Sequence, residues 1–299
     1  MTAATADQAA PPRFEPALMR RKFSGTLFYG ACLFATAVLI LALVALLLNV
    51  LFVGLPWLSP EFVTSMPSRR PAETGILPAL IGSIQLAIIV GLITFPIGIG
   101  AAVYLAEYAG DNRLTRLLST NISNLAGVPS IIYGIFGLAI FVRLLGLGPV
   151  LFSGAATLAL VILPLVIIAS FEALKAVPQA QREGAYALGA SQWQMVRGSV
   201  LPAASPGIMT GIILAMARAI GEAAPLVVVG AATFVTSLPQ PFQGGFTVLP
   251  IQVFSWAQRA NEDFQGIAAA TIIVILVLIF VLNLLALVVR ARLSRHIQW

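Results

Sequence analysis

Long apolar runs decide what this chain can fold into. A spanning helix needs about 20 predominantly apolar residues to cross a hydrocarbon core of roughly 30 Å, and runs of that length begin near Gly25, Leu77, Ile122, Val150, Ser205 and Ile267. The stretch from Thr26 to Val53 follows the basic cluster Arg20, Arg21 and Lys22. It exceeds the 7–15 residues of a signal-peptide core, so it reads as a retained first span. Only 9% of the 299 residues are charged and 59% are hydrophobic, far from the roughly 25% charge of soluble domains. The fold class that follows is all-α: a polytopic membrane protein of about six transmembrane helices.

Along the chain, residues 1–23 are expected to form a disordered tail, Ala-, Pro- and Thr-rich at its start. The first helix takes residues 24–54. An irregular loop at 55–76 is broken by Pro56, Pro60, Pro67 and Pro71. Residues 77–290 form the core with five further helices, and 291–299 a basic tail. Within the core, Pro96, Gly98 and Gly100 predict a kink or a local discontinuity in the second span. Gly110 to Arg116 read as a loop and 122–145 as the third span, in which Gly127, Pro129 and Gly134 serve close packing or, less commonly for such residues, touch substrate. Residues 150–173 make the fourth span, 205–236 the fifth and 267–289 the sixth. The Pro-, Gln- and Gly-rich segment 237–265, with Phe254 and Trp256, reads either as a contact surface for an external protein or as a re-entrant hairpin.

Six spans place both termini on one side. With that side cytoplasmic, the inner segments hold Arg13, Arg20, Arg21, Lys22, Arg113, Arg116, Lys175, Arg182, Arg197, Arg290, Arg292 and Arg295, against Arg69, Arg70 and Arg259 outside. This asymmetry is the positive-inside pattern. It accounts for the net charge of +6 without nucleic acid as a partner. The stretch 174–204 is therefore expected on the cytoplasmic side of a plasma membrane. Cys32 is the single cysteine and lies in the first apolar run, which excludes disulfides and cysteine metal sites. His296 is the single histidine and is expected in the exposed tail.

Two stretches carry chemistry. In residues 178–202, Gln179 to Leu188 read as a short helix after Pro178, Gly189 as its left-handed stop, and Ser191 with Gln194 as a capping box opening a second helix. Leu201-Pro202 is expected to close the unit, with Tyr186, Trp193, Met195 and Val196 as apolar anchors. Such a unit docks in a partner's groove or lies on lipid headgroups. In the fifth span, Arg218 and Glu222 stand four apart and so share a helix face. Charge at mid-membrane costs at least ~2.5–3.5 kcal/mol, so the pair faces an interior or wet site. It is either a neutral structural pair or an anion-contacting arginine tuned by its carboxylate, since guanidinium suits oxyanions. Arg143, at the outer end of the third span, reads as a snorkelling anchor or a second pathway residue. Glu107 and Glu172 read as interface residues at the inner ends of spans, and Arg69 and Arg70 either as solvated loop residues or as an electrostatic attractor of anions.

The spacing Glu183, Ala185, Gly189, Leu201, Pro202 matches E-A-A-x(3)-G-x(9)-I-x-L-P, with Gly184 and Ser199 departing from the pattern. This resembles the signature loop of bacterial ABC-importer membrane subunits. The segments LAGVPSIIYGIFGLAIFV (125–142), ARAIGEAAPL (217–226) and FTVLPIQVFSWAQR (246–259) are similar to the A-type permeases of phosphate-uptake ABC transporters, and the likeness spans about 70–290. It implies a type I (MetI-like) importer permease fold and half of a phosphate pathway containing Arg218 and Glu222. It also implies a loop, with Glu183, Gly184, Ala185, Tyr186, Gly189, Trp193, Leu201 and Pro202, that inserts in an ATPase cleft. The implied partners are a sister permease, a dimeric ATP-binding subunit carrying ATP and Mg, an extracytoplasmic phosphate-binding protein and membrane lipid, with no cofactor on this chain. The sequence holds no GxxxxGK[ST] loop, so ATP hydrolysis falls to a partner and the chain is not itself an enzyme. Other oxyanions such as sulfate or molybdate fit the same residues. An intramembrane enzyme is disfavoured by a lone histidine outside the spans and a lone intramembrane carboxylate.

Overall fold

The computed structural model describes residues 18–110, 112–231 and 235–294. Residues 1–17 and 295–299, including Arg295 and His296, lie outside the described residues, while 18–23 and 291–294 of the two expected tails are helical. Every regular element described is helical. Two compact units emerge, 1–49 and 50–299.

The first unit consists, among the described residues, of most of helix α1 (Leu18–Gly54, 37 residues). At 1.5 Å per residue it is about 55 Å long, more than enough to cross a bilayer. Phe28, Phe34 and Leu39 are all exposed, and apolar residues run round its whole circumference, as expected of a helix whose solvent is lipid.

In the second unit, α2 (Pro60–Thr64) starts from Ser59, whose hydroxyl accepts the Phe62 amide. Then follow α3 (Leu77–Val103), α4 (Arg113–Ala126), α5 (Ser130–Gly137), α6 (Leu151–Lys175), α7 (Gln179–Ala187), α8 (Gln192–Met195), α9 (Leu201–Gly221), α10 (Ala224–Val229), α11 (Leu249–Ala257) and α12 (Glu262–Ser294). Helix α6 is the axis of the packing. Leu151, Leu158, Ile162 and Val166 are fully buried against α3, α5 and α9. Small residues at Ser153 to Thr157 let neighbouring backbones approach. Their hydroxyls turn inward: Ser153 donates to the Gly148 carbonyl at 2.8 Å and Thr157 to the Ser153 carbonyl at 2.7 Å. Apolar surroundings leave no water to satisfy these groups, so the backbone does so.

Two expectations about spans are corrected. The third span is not one helix from 122. Residues Arg113–Ala126, expected in part as a loop, form a helix capped by Asn112, which accepts the Thr115 amide at 2.8 Å. The chain then turns by 99° into α5, which continues to Leu144 in wider π-helical turns. Pro129 explains the turn, because it disfavours helical geometry at Val128 and lacks an amide hydrogen. The Tyr133 hydroxyl braces the elbow by donating to the Leu125 carbonyl at 2.8 Å.

The second correction concerns the fifth span. Helix α9 stops at Gly221, with Glu222 extended (φ −78°, ψ 116°), and α10 is a separate short helix ending at Gly230 (φ 104°). Helix α3 passes through Pro96 as continuous α-helix, without a break there, and its helical hydrogen bonding changes to π-type at Tyr104–Tyr108.

In the segment expected as a contact surface or hairpin, residues 237, 238 and 240–245 are exposed, and the interior part is 246–252. Phe246, Val248, Leu249, Ile251 and Trp256 are buried, and only Phe254 of the two expected aromatic contacts is exposed. The Leu249 amide donates to Ser83 Oγ at 2.9 Å inside the core, and Trp256 packs against Phe62 with ring centroids 6.5 Å apart. Their apolar surface is used within the chain.

Candidate functional site: a docking elbow and a charged helix end

The 178–202 stretch folds as its turn chemistry dictates. Helix α7 follows Pro178, and Gly189 takes φ +82°, a conformation costing a residue with a Cβ roughly 1–2 kcal/mol. The capping box is present: Ser191 Oγ accepts the Gln194 amide at 3.4 Å, and Gln194 Oε1 accepts the Ser191 amide at 2.8 Å. Gly184 is exposed in mid-helix, and a Cβ built there meets nothing within 4 Å. Its departure from the alanine of the pattern therefore sacrifices no contact. Glu183 is exposed and Ala185 half-buried.

Two expectations about this unit fail. Leu201-Pro202 does not close it. The chain continues from Gln192 to Gly221 as a single 30-residue helix, passing through π-helical turns at Val196–Val200. Pro202 lies inside this continuous helix, directly after the π-helical turns, where the regular i→i−4 ladder is already interrupted. Met195 and Val196 are also not exposed anchors. They are 2% and 1% exposed, packed with Val200, Ala204, Leu174, Val177, Ala102 and Val103. The α7–α8 elbow is thus fused through an apolar cluster to the ends of α3, α6 and α9. Tyr186 and Trp193 do face outward, and between them Leu188 is 91% exposed. Sequence reasoning absorbed Leu188 into the helix. Its place immediately before the glycine stop was the signal that could have singled it out.

One ionic link was not legible at all. Arg182, on α7, forks onto Glu107, in the π-helical turn after α3. Nη2 lies 2.7 Å from Oε1 and Nε 3.1 Å from Oε2. The same guanidinium donates to the carbonyls of Val177 at 2.7 Å and Leu174 at 2.9 Å. The side chains are 13% and 4% exposed. Breaking such a pair from one side typically costs about 3–5 kcal/mol, because a buried charge is stranded. The Gln192 side-chain amide also donates to the Glu107 carbonyl. Glu107, expected as an interface residue at the inner end of its span, is the common anchor of both arms of the elbow. Glu172 is exposed at the edge of a cavity of about 350 Å³ between α4 and α6, lined by Ser119, Thr120, Ser123 and Asn124.

At the other end of α9, Arg218 and Glu222 are joined as the spacing indicates, Nε to Oε1 at 3.2 Å, although Glu222 lies past the last helical residue. The arginine side chain is 48% exposed and the glutamate 18%. Among the described residues, the two Nη groups of Arg218 have no hydrogen-bond partner. Beyond the pair, Pro225 seats against Gly134 of α5, and Leu226 against Gly154 of α6. Arg143 is exposed in the turns after α5, and Glu222 pairs with Arg218 rather than with it. Arg70 pairs with Glu73 at 3.1 Å on the surface, 79% and 59% exposed, where such pairs contribute little. No group of three His, Cys, Asp or Glu side chains suited to a metal occurs among the described residues.

Comparison with known proteins places this geometry. The permease protein YqgI of Bacillus subtilis, described as a probable ABC transporter permease, is 38% identical over 70% of this chain and 71% of its own length. The phosphate transport system permease protein PstA of Yersinia pestis is 34% identical over 84% of each chain. PstA 1 of Mycobacterium tuberculosis strain H37Rv is 35% identical over 72% of this chain and 70% of its own. Among solved structures, a chain of the MetNI methionine ABC transporter in an inward-facing form superposes with a TM-score of 0.61. It is 17% identical, covering 73% of this chain and 95% of that one. A chain of a bacterial ABC transporter for alginate import gives a TM-score of 0.60 at 16% identity, covering 92% and 98%. The all-helical fold is thus that of type I ABC-importer permeases. Residues 94–295 match the family described as the binding-protein-dependent transport system inner membrane component, and the chain belongs to that family as a multi-pass membrane permease.

Proposed function

We propose that this chain is the permease subunit of an ATP-driven importer of inorganic phosphate, forming half of the translocation pathway with a homologous sister permease. The observation that carries the anion reading is the state of Arg218. Its Nε is held by Glu222, while its two Nη groups stay open on a half-exposed side chain. A guanidinium so oriented keeps the donors needed for an oxyanion, and the carboxylate beside it weakens the hold so that cargo leaves again. The phosphate-transport relatives select phosphate over other oxyanions.

In this reading a dimeric ATPase subunit, carrying ATP and Mg, grips the exposed Tyr186–Leu188–Trp193 face beside Gly189. Both termini and the elbow are cytoplasmic, on the positive-inside argument. Closure of the ATPase dimer draws the elbow and turns the spans outward. A docked extracytoplasmic binding protein then releases phosphate into the pathway, and hydrolysis returns the spans inward. The chain itself contributes no ATP site and no resident cofactor. Glu183, Gly184, Ala185, Leu201 and Pro202 shape the elbow and its root, and Arg143 is a secondary pathway candidate.

The test is Arg218→Gln in the reconstituted complex. Hydrogen bonds to charged groups contribute about 1.5–3 kcal/mol, so phosphate uptake is expected to fall roughly 10- to 100-fold at normal assembly. Unchanged uptake by a fully assembled complex would remove Arg218 from the pathway.

A further inference from the structure

We propose that Glu107, Arg182 and Gln192 form a clamp that makes the α7–α8 elbow and the end of α3 one rigid body, so that the second span moves with the elbow. The proposal rests on the coupling role given to the elbow above, and it assigns the transmission step to residues outside the signature pattern.

Three observations converge. First, the elbow's two arms lie on either side of Gly189 in the chain, yet both bond to the same residue. Arg182 of α7 engages the Glu107 carboxylate, and Gln192 of α8 engages its backbone carbonyl. Second, the anchor lies in a π-helical turn, Tyr104–Tyr108. Leu105 is buried within this turn and the Glu107 side chain is 4% exposed. Third, Arg182 also donates to the Leu174 and Val177 carbonyls at the end of α6. A single guanidinium therefore ties α7, α6 and α3 together.

Beneath it, Ala102, Val103, Leu174, Val177, Met195 and Val196 fill one apolar cluster. Such a cluster resists compression but gives little resistance to sliding, because hydrophobic contact is non-directional. The fork of a guanidinium on a carboxylate is directional. In this arrangement the cluster keeps the elbow against the bundle and the clamp fixes its register on α3. Glu107, Arg182 and Gln192 are positioning residues, touching neither cargo nor nucleotide.

The experiment uses the complete complex in proteoliposomes, with phosphate uptake and ATP hydrolysis measured on the same sample for wild type, Glu107→Gln, Arg182→Gln and the double variant. Glu107→Gln is the decisive single change, because it leaves Arg182 its bonds to α6 and removes only the ionic tie to α3. The expected result is at least a tenfold loss of phosphate moved per ATP hydrolysed, with the ATPase subunit retained. The double variant should be no worse than the more impaired single variant, as for two ends of one link. Glu107→Gln with wild-type stoichiometry, or single losses that multiply in the double variant, would overturn the clamp. A wild-type complex that moves no phosphate would instead overturn the transport reading, so the two failures are distinguishable. If Arg182→Gln does not assemble, the stoichiometry of Glu107→Gln alone decides.

Discussion

Replacing Leu188 by Asp is expected to release the ATPase subunit from the complex. Leu188 is 91% exposed at the tip of the elbow, flanked by Tyr186 at 47% and Trp193 at 57%. An apolar side chain so fully presented to water stabilises nothing in the isolated chain. Its value lies in what covers it. Burying a leucine contributes about 1.5–3 kcal/mol, which is roughly 10- to 100-fold in affinity. An aspartate adds the cost of desolvating a charge without a partner. Leu188→Ala should weaken retention by about tenfold and Leu188→Asp should abolish it, while both leave the fold unchanged because no internal contact is lost. Copurification of the ATPase with the detergent-extracted permease, compared with the permease's own thermal stability, separates the two effects. Full retention with Leu188→Asp would mean that the elbow is not the docking surface.

The second large effect is predicted at Gly134→Val. A Cβ at this position would lie 2.8 Å from Pro225 Cα, 2.9 Å from Pro225 O and 3.0 Å from Val228 Cβ. Two of these atoms are backbone and cannot rotate away, so α10 must move as a unit. Overpacking of this kind costs about 1–3 kcal/mol or more. It acts three residues beyond Glu222, where α9 hands over to α10. The expected outcome is a lowered thermal midpoint together with loss of uptake. Gly100→Val provides the control, because a Cβ at Gly100 meets nothing within 4 Å. A Gly134→Val complex as stable and active as wild type would show that the α5–α10 contact yields easily.

The parts of this structure that could be read from sequence are those set by local rules. Hydropathy over about 20 residues located α1, α3, α6 and α12, because the cost of exposing polar backbone to lipid permits little else. The Gly189 stop and the Ser191–Gln194 box were legible because a left-handed residue and a cap each leave a fixed signature over four residues. Averages over a window failed where a single backbone constraint overrules them. Pro129 splits an apolar run into a 99° elbow, and α9 ends at Gly221 inside a run that stays apolar to Thr236. Pairing at four residues survived even so, since Arg218 reaches Glu222 across the helix end. The Glu107–Arg182 tie joins positions 75 residues apart, and no local pattern encodes it. Met195 and Val196 looked like docking anchors for the same reason: apolarity identifies a residue that needs cover but not whether the cover is its own chain or another.

The most direct measurement is uptake of labelled phosphate into liposomes carrying this permease with its sister permease and ATPase, supplied with the loaded binding protein outside and ATP inside. The account predicts ATP-dependent accumulation of phosphate that excess unlabelled phosphate suppresses and sulfate or molybdate does not. ATP-driven accumulation of sulfate or molybdate with no phosphate uptake would contradict it.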